Sequence, residues 1–401
     1  MTQETDAAGA RSALDIVLVE FLPSGGMFQF AFQFADALAR AGHRVRLLTG
    51  PEPELESRTA NLQIVPMLPT WHPNADSDGS GWLRKLRRVG RALRLVESWR
   101  RVLVDLRRRR PDVAQFGELR YALDTAAFSL VARFGRAGSI VDVAHNPLPY
   151  DVTSKSQAVE KSGRLTRWLL ARAYTAADLV LVLGEGPRAD LLSHFPQVRR
   201  VEVCGHGDYS SVLQATGLLS PTEAGPRALL FGAWTKYKDI PLLLDAFTLV
   251  RRQLPEAGLT LAGPVMPDVD YDAIAGQAAR IGNVDLRPGY VPMEELPALF
   301  GAHRVVMFTY QTVNISGSVH MAYTFGRPVV ATRVGSMTDV VEDGVTGYLA
   351  EPNAGSVADA MLRVLSDPAT ADRLGAAAAR HAELGSSWSS VAEKALAAYA
   401  A

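Results

Sequence analysis

Short β-branched runs alternate with longer stretches of helical spacing along most of the chain, the pattern of successive βαβ units around a parallel sheet. The first run, Leu14-Asp15-Ile16-Val17-Leu18-Val19, leads through Pro23-Ser24-Gly25-Gly26 into a helix ending near Gly42, and Arg44-Val45-Arg46-Leu47-Leu48 supplies the next strand. Similar strands are expected at 112–116, 139–144, 178–183 and 200–204. A stretch rich in Gly, Pro, Ser and Thr, 216–226, then breaks the pattern, and Ala228-Leu229-Leu230-Phe231 restarts it. Further strands are expected at 259–262, 284–287, 304–308 and 328–331, and a helix over 385–401. The reset predicts two α/β domains, 1–205 and 206–384.

One helical stretch, 82–110, carries twelve Lys or Arg against Glu97 and Asp105, with apolar residues at 82, 86, 89, 93, 96, 99, 103 and 106. Such spacing predicts one apolar face and leaves the rest basic. It fits a solvated helix on the first domain or a peripheral contact with an anionic membrane. Across the whole chain 42 basic residues balance 42 acidic ones, so nothing draws it to nucleic acid globally. The 401 residues suffice for two domains, and 48% hydrophobic content is globular. Residues 1–11 have no apolar core, so neither a secretory signal nor an anchor is expected there, and no run is apolar enough to span a bilayer. The single cysteine, Cys204, excludes an intramolecular disulfide and a cysteine-rich metal site; a cytoplasmic setting, extending to the inner face of the membrane, is the expectation.

Ligands of open α/β sheets bind outside the carboxyl ends of the strands, so residues there come first. Gly25 and Gly26 follow the first strand, where backbone without Cβ can approach a substrate; a tight turn needing positive φ would use glycine too. His145 and Asn146 close the strand 139–144, and a histidine there can hydrogen-bond a sugar hydroxyl or be satisfied by a loop carbonyl. Lys236 and Lys238 follow the restarting strand, either as solvated lysines or as the charge that offsets a developing diphosphate. Gly289-Tyr290-Val291 fits a loop passing a nucleobase or a plain turn. Ser316-Gly317-Ser318 open a helix whose unpaired N–H groups suit an anion, though an ordinary cap fits equally. Asp268 and Asp270 read as helix capping rather than a metal pair, and Gly205-His206-Gly207-Asp208 as a hinge. No Gly-x-Gly-x-x-Gly follows the first strand, which argues against a Rossmann dehydrogenase.

Phe325-Gly326-Arg327-Pro328-Val329-Val330-Ala331-Thr332, then Gly335 and Val341-Glu342-Asp343-Gly344-Val345-Thr346-Gly347-Tyr348-Leu349, resemble the C-terminal half of retaining GT-B glycosyltransferases of family 4. The likeness runs upstream through Leu230-Phe231-Gly232 with Tyr237-Lys238, Leu261-Ala262-Gly263, and Gly289-Tyr290-Val291 with Glu295-Leu296, and so covers most of the chain. It implies two Rossmann-like domains facing each other across a cleft, an acceptor domain first, a nucleotide-sugar domain second, and a last helix, 385–401, crossing back to the first. It implies His145 presented to the donor sugar and Lys238 on the diphosphate, with Lys236 standing in for an arginine that has no counterpart at Ala233 or Thr235. Donor contacts are expected from Gly25, Gly26, Gly232, Gly289, Tyr290, Val291, Asn314, Ser316, Gly317 and Ser318. No metal or other cofactor is expected.

The chain departs from the pattern where many members carry two glutamates eight positions apart: Val313 and Met321 stand there. Some relatives carry a Ser-Gly pair instead, matched by Ser316 and Gly317, which marks a divergent branch. His320, Tyr310 and Asn314 are near enough in sequence to take the ribose contact. The resemblance implies retaining transfer of a sugar from a nucleotide diphosphate sugar to an acceptor hydroxyl of a glycan, lipid-linked sugar or small molecule, in polysaccharide or glycolipid assembly. A natural-product glycosyltransferase, a non-catalytic nucleotide-sugar-binding protein and a GT-B sugar-nucleotide epimerase are the alternatives.

Overall fold

The computed structural model of the chain describes residues 13–70, 81–117, 119, 122–147, 164–209, 220–312, 317–385 and 387–401, the side chains of 81–88 and 384–385 apart. Two parallel sheets organise it. The first holds β1 (Asp15–Val19), β2 (Arg44–Leu48), β3 (Leu62–Val65), β4 (Val113–Phe116), β5 (Ser139–Ala144), β6 (Leu179–Val182) and β7 (Val201–Val203), in the order β3-β2-β1-β4-β5-β6-β7. The second holds β8 (Arg227–Phe231), β9 (Gly258–Gly263), β10 (Val284–Pro288), β11 (Val305–Phe308), β12 (Val329–Thr332) and β13 (Gly347–Ala350), in the order β10-β9-β8-β11-β12-β13. By compactness the chain divides into Met1–Val143 with Ala176–Leu179 and Ala401, and Ala144–Thr175 with Val180–Ala400.

Helices alternate with these strands: α1 (Gly26–Arg40), α2 (Gly81–Arg109), α3 (Ala122–Phe134), α4 (Arg164–Ala176) and α5 (Glu185–His194), then α6 (Ile240–Gln253), α7 (Tyr271–Ile281), α8 (Leu296–Gly301), α9 (Gly317–Thr324), α10 (Met337–Val340), α11 (Ala354–Leu365), α12 (Pro368–Gly385) and α13 (Trp388–Ala400). No described helix is long and apolar enough to cross a membrane. Strands β1, β4, β6, β11 and β12 are buried almost throughout, which is why they read as unbroken apolar runs. Around the second sheet, Leu243, Leu244, Phe247 and Val250 of α6 share one core with Val357, Met361 and Val364 of α11. Each such side chain contributes about 1.5–3 kcal/mol by leaving water. Local chemistry sets the helix starts. Asp239 accepts from the Leu242 N–H, Asp270 from that of Ala273, and Asn353 from that of Ser356, each satisfying a donor the helix leaves open.

Helix α2 corrects one expectation. The spacing predicts a single apolar face through 82, 86, 89, 93, 96, 99, 103 and 106, but the inward stripe among the described side chains is Leu95, Trp99, Val102 and Leu106. The Trp99 indole decides the register: it donates to Asp124 Oδ1 at 2.9 Å and stacks on Phe116 with centroids 5.7 Å apart. Strands β3 and β13 are additions to the expected set.

Strand order reverses between β1 and β4 and again between β8 and β11, and the carboxyl ends flanking these points are where an open sheet leaves a crevice. The second reversal carries the chemistry described next.

Candidate functional site

Beyond Phe231 the chain turns at Gly232, whose φ of 97° favours a residue without Cβ and whose N–H bonds the Ala262 carbonyl at 2.9 Å. The neighbouring strand end is built to match: a Cβ on Gly263, φ 145°, would run into the Gly232 carbonyl. A short 3-10 turn, Lys236–Lys238, then folds Lys238 back over the end of β8. Its Nζ donates to the Phe231 carbonyl at 2.9 Å and lies 5.8 Å from the centre of the Tyr310 ring. A Cβ on Gly232 would stand 2.9 Å from that Nζ and 3.5 Å from Ser318 Oγ, so the glycine is the space in which the ammonium and the first turn of α9 meet.

Lys238 is 4% exposed, and burial pulls its pKa down to about 7. Among the described residues no carboxylate offsets the charge, and burial is the cause of the shift. An ammonium with one carbonyl partner has two N–H groups to spare, and a dry site makes an anion its best complement. The N-terminus of α9 beside it adds the positive end of a helix dipole.

A histidine pair flanks the same turn. His206 and His320 stack with centroids 4.7 Å apart and planes 5° from parallel. His206 donates from Nδ1 to the Gly207 carbonyl at 2.6 Å, which leaves Nε2 as the acceptor. That Nε2 and the Tyr209 hydroxyl lie 3.2 Å and 3.0 Å from where a Cβ on Gly317 would sit. Burial lowers the His206 pKa to about 4 and drives that of His320 well below the ordinary value, so both rings are neutral at pH 7. Nδ1 of His320 is buried without a hydrogen-bond partner among the described residues. From below, the Trp388 indole covers Gly207 so closely that no side chain could replace its hydrogen, and donates to the Asp208 carbonyl at 2.5 Å.

Lys238, Gly232, Gly317 and Ser318, all expected from the sequence, thus come together. Lys236 does not join them: it is exposed, and its backbone N–H bonds Asp268 Oδ2 at 2.8 Å. Asp270 caps α7, as its position suggested. Gly289, φ 126°, follows β10 with its N–H on the Gly263 carbonyl, and Tyr290 and Val291 come next, Tyr290 exposed and Val291 half-buried. Gly25, φ 84°, precedes α1 and donates to Glu54 Oε2 at 2.9 Å, while the space beside Gly25 and Gly26 is open. His145 lies half-buried directly after β5. Asn314 and Ser316, with Val313, lie outside the described residues. Met321 is buried in α9 and offers no hydrogen bond to a hydroxyl.

Three buried side chains escaped the sequence reading. Tyr209 and Trp388 carry no motif and act only through the fold. Glu20 is buried just past β1 at the first reversal, accepting from the Leu22 N–H and facing the Cα of Gly117; its signal was a carboxylate ending an apolar run.

Comparison with known proteins gives two family models: glycosyltransferase family 4 over residues 24–207 and glycosyl transferases group 1 over 225–367. A D-inositol 3-phosphate glycosyltransferase of Kribbella flavida is 30% identical over 262 residues, 63% of this chain and 59% of its own. The chain thus matches about half the length of the curated relatives. Among solved structures, sucrose-phosphate synthase from Thermosynechococcus elongatus superposes with a TM-score of 0.72 at 19% identity, covering 96% of this chain and 98% of that one. Anabaena Alr3699/HepE, in complex with UDP and glucose, does so with 0.69 at 16%, covering 96% and 99%.

Proposed function

The chain belongs to glycosyltransferase family 4 and adopts the GT-B fold, and we propose that it transfers a sugar from a nucleotide diphosphate sugar to an acceptor hydroxyl, with retention of anomeric configuration. The observation that carries this reading is the buried Lys238 ammonium, held against Gly232 and Ser318 at the start of α9 with no carboxylate among the described residues to neutralise it. In the reaction the bond from the anomeric carbon to the diphosphate oxygen breaks, a bond to the acceptor oxygen forms, and the acceptor proton passes to the departing diphosphate. Negative charge grows on the leaving diphosphate, where Lys238 and the first amides of α9 stabilise it. His145 orients the sugar, Gly289 and Tyr290 border the base, and Gly25 and Gly26 admit substrate closely. The donor belongs to 206–384 and the acceptor to 1–205, and the work is polysaccharide or glycolipid assembly in the cytoplasm. A lysine and helix amides already provide the countercharge, so no metal is required and EDTA should leave turnover unchanged. The UDP-bound and UDP-glucose-bound Anabaena structures share the fold and favour a nucleotide-sugar donor.

Calorimetric titration with UDP, GDP, dTDP and ADP, comparing wild type with Lys238→Ala, tests the donor site. One diphosphate should bind and lose at least about tenfold in the variant, the worth of a charge-assisted contact. No binding of any of the four would refute the transferase reading, and binding without turnover on any acceptor would make the chain a nucleotide-sugar receptor.

A further inference from the structure

Helix α2 carries an apolar line that the core does not use. Its buried stripe is Leu95, Trp99, Val102 and Leu106. Val89, Leu93 and Val96 repeat at i, i+4 and i+7 and stay 60%, 65% and 51% exposed. At 3.6 residues per turn this second line lies about 120° round the helix from the first. Arg100 and Arg107 continue it, both exposed. The helix holds eleven Lys or Arg against Glu97 and Asp105. Both acids are engaged: Glu97 pairs with Arg100 and Arg101, Asp105 with Arg46 and Arg109. Arg94, Arg107 and Arg108 have no ion pair among the described residues and lie exposed.

A solvated face has no use for three aliphatic side chains on successive turns, each at least half exposed. A protein partner could cover them only by also answering a large excess of positive charge. An anionic lipid surface answers both at once, because aliphatic side chains enter the acyl boundary while long arginines reach the headgroups. We propose that α2 docks this protein on an anionic membrane through Val89, Leu93 and Val96, with Arg94, Arg107 and Arg108 on the headgroups. The surface stands whether or not the chain transfers sugar.

Co-sedimentation of the full chain with vesicles of phosphatidylcholine alone and of phosphatidylcholine with 30% phosphatidylglycerol tests it. Binding is expected only to the anionic vesicles and should fall as salt is raised from 0.1 M to 0.5 M. The variant Val89→Gln/Leu93→Gln/Val96→Gln and the separate variant Arg94→Gln/Arg107→Gln/Arg108→Gln should each weaken it by at least about tenfold at an unchanged melting temperature. Leu165→Gln/Trp168→Gln, on the exposed aromatic face of α4, should leave it unchanged. The proposal is overturned by absence of anionic binding, by binding that survives both α2 variants, or by loss in the α4 variant alone. It is overturned equally if the aliphatic variant changes the oligomeric state of the chain and not its vesicle affinity.

Discussion

Lys238 should make nucleotide binding weaken between pH 7 and pH 9, an interval in which an ordinary surface lysine would show no change. In the free protein burial holds its pKa near 7. A bound diphosphate supplies the missing countercharge and returns the group toward its usual value of about 10.4. Binding therefore takes up a proton wherever the free lysine is neutral and the bound one is charged. At pH 7 about half of the free protein is protonated; at pH 9 about one part in a hundred is. The dissociation constant should rise about fiftyfold across that interval, ~2.3 kcal/mol at 1.36 kcal/mol per pKa unit. Calorimetry at pH 8 in two buffers of different ionisation enthalpy should report uptake of about 0.9 proton per nucleotide bound. Lys238→Met should bind weakly at every pH and take up none. Affinity that is flat from pH 7 to 9 in the wild type, with no proton uptake, would refute the idea that this ammonium faces the diphosphate.

The same depressed pKa predicts a stability effect without ligand. The unfolded chain keeps its proton up to about pH 10.4 and the folded one loses it near 7, so wild-type stability should climb with pH through that window. Lys238→Met should therefore be more stable than wild type by a few kcal/mol at pH 6, with the gap narrowing above pH 7 and closing only above about pH 10, read from urea midpoints. Gly232→Ala places a methyl 2.9 Å from Lys238 Nζ at a backbone φ of 97°; a loss of about 1–3 kcal/mol in the urea midpoint and of nucleotide binding together is expected, whereas binding at wild-type strength would show the space is not shared. Trp388→Ala removes the indole that covers Gly207 and bonds the Asp208 carbonyl. It should cost about 3–5 kcal/mol in urea unfolding, while Trp388→Phe, which loses the hydrogen bond and little of the packing, should cost about 1–2.

The fold was readable because a parallel strand covered on both sides is mostly apolar, and β1, β5, β8 and β12 announce themselves by their Val, Ile, Leu and Ala runs. β3 did not: it is a four-residue edge strand, and Gln63 on it is exposed. β13 lay hidden in a glycine-bounded run, Gly347-Tyr348-Leu349-Ala350, that only pairing with β12 makes a strand. The glycines and lysines of the site were legible because they follow strands in linear order. Sequence alone could not separate Lys236 from Lys238, two residues of identical chemistry. The 3-10 turn separates them: one backbone N–H goes to Asp268 while the other side chain reaches back to Phe231.

Position along the chain is silent about contacts closed by the fold, and the histidine pair depends on those. His206 follows β7 of the first sheet and His320 lies in α9 after β11 of the second, more than a hundred residues on. The sequence singles each out separately, His206 in a hinge and His320 as a candidate for the ribose, and nothing in it joins the two. Their stacking follows from three placements that must hold together: Gly317 without a side chain, Gly207 without a side chain, and Trp388 closing over the latter. The two rings stay neutral because they are buried, so they add no positive charge to that of Lys238 at the start of α9. Division of labour at this turn is then set by burial: one cation beside Gly232, uncharged imidazoles beside Gly317. A substitution that charges the pair at neutral pH, such as His320→Lys, should therefore tighten the binding of any diphosphate that Lys238 holds if the chain still folds, and the same variant of a Lys238→Met background should restore part of what that change removed.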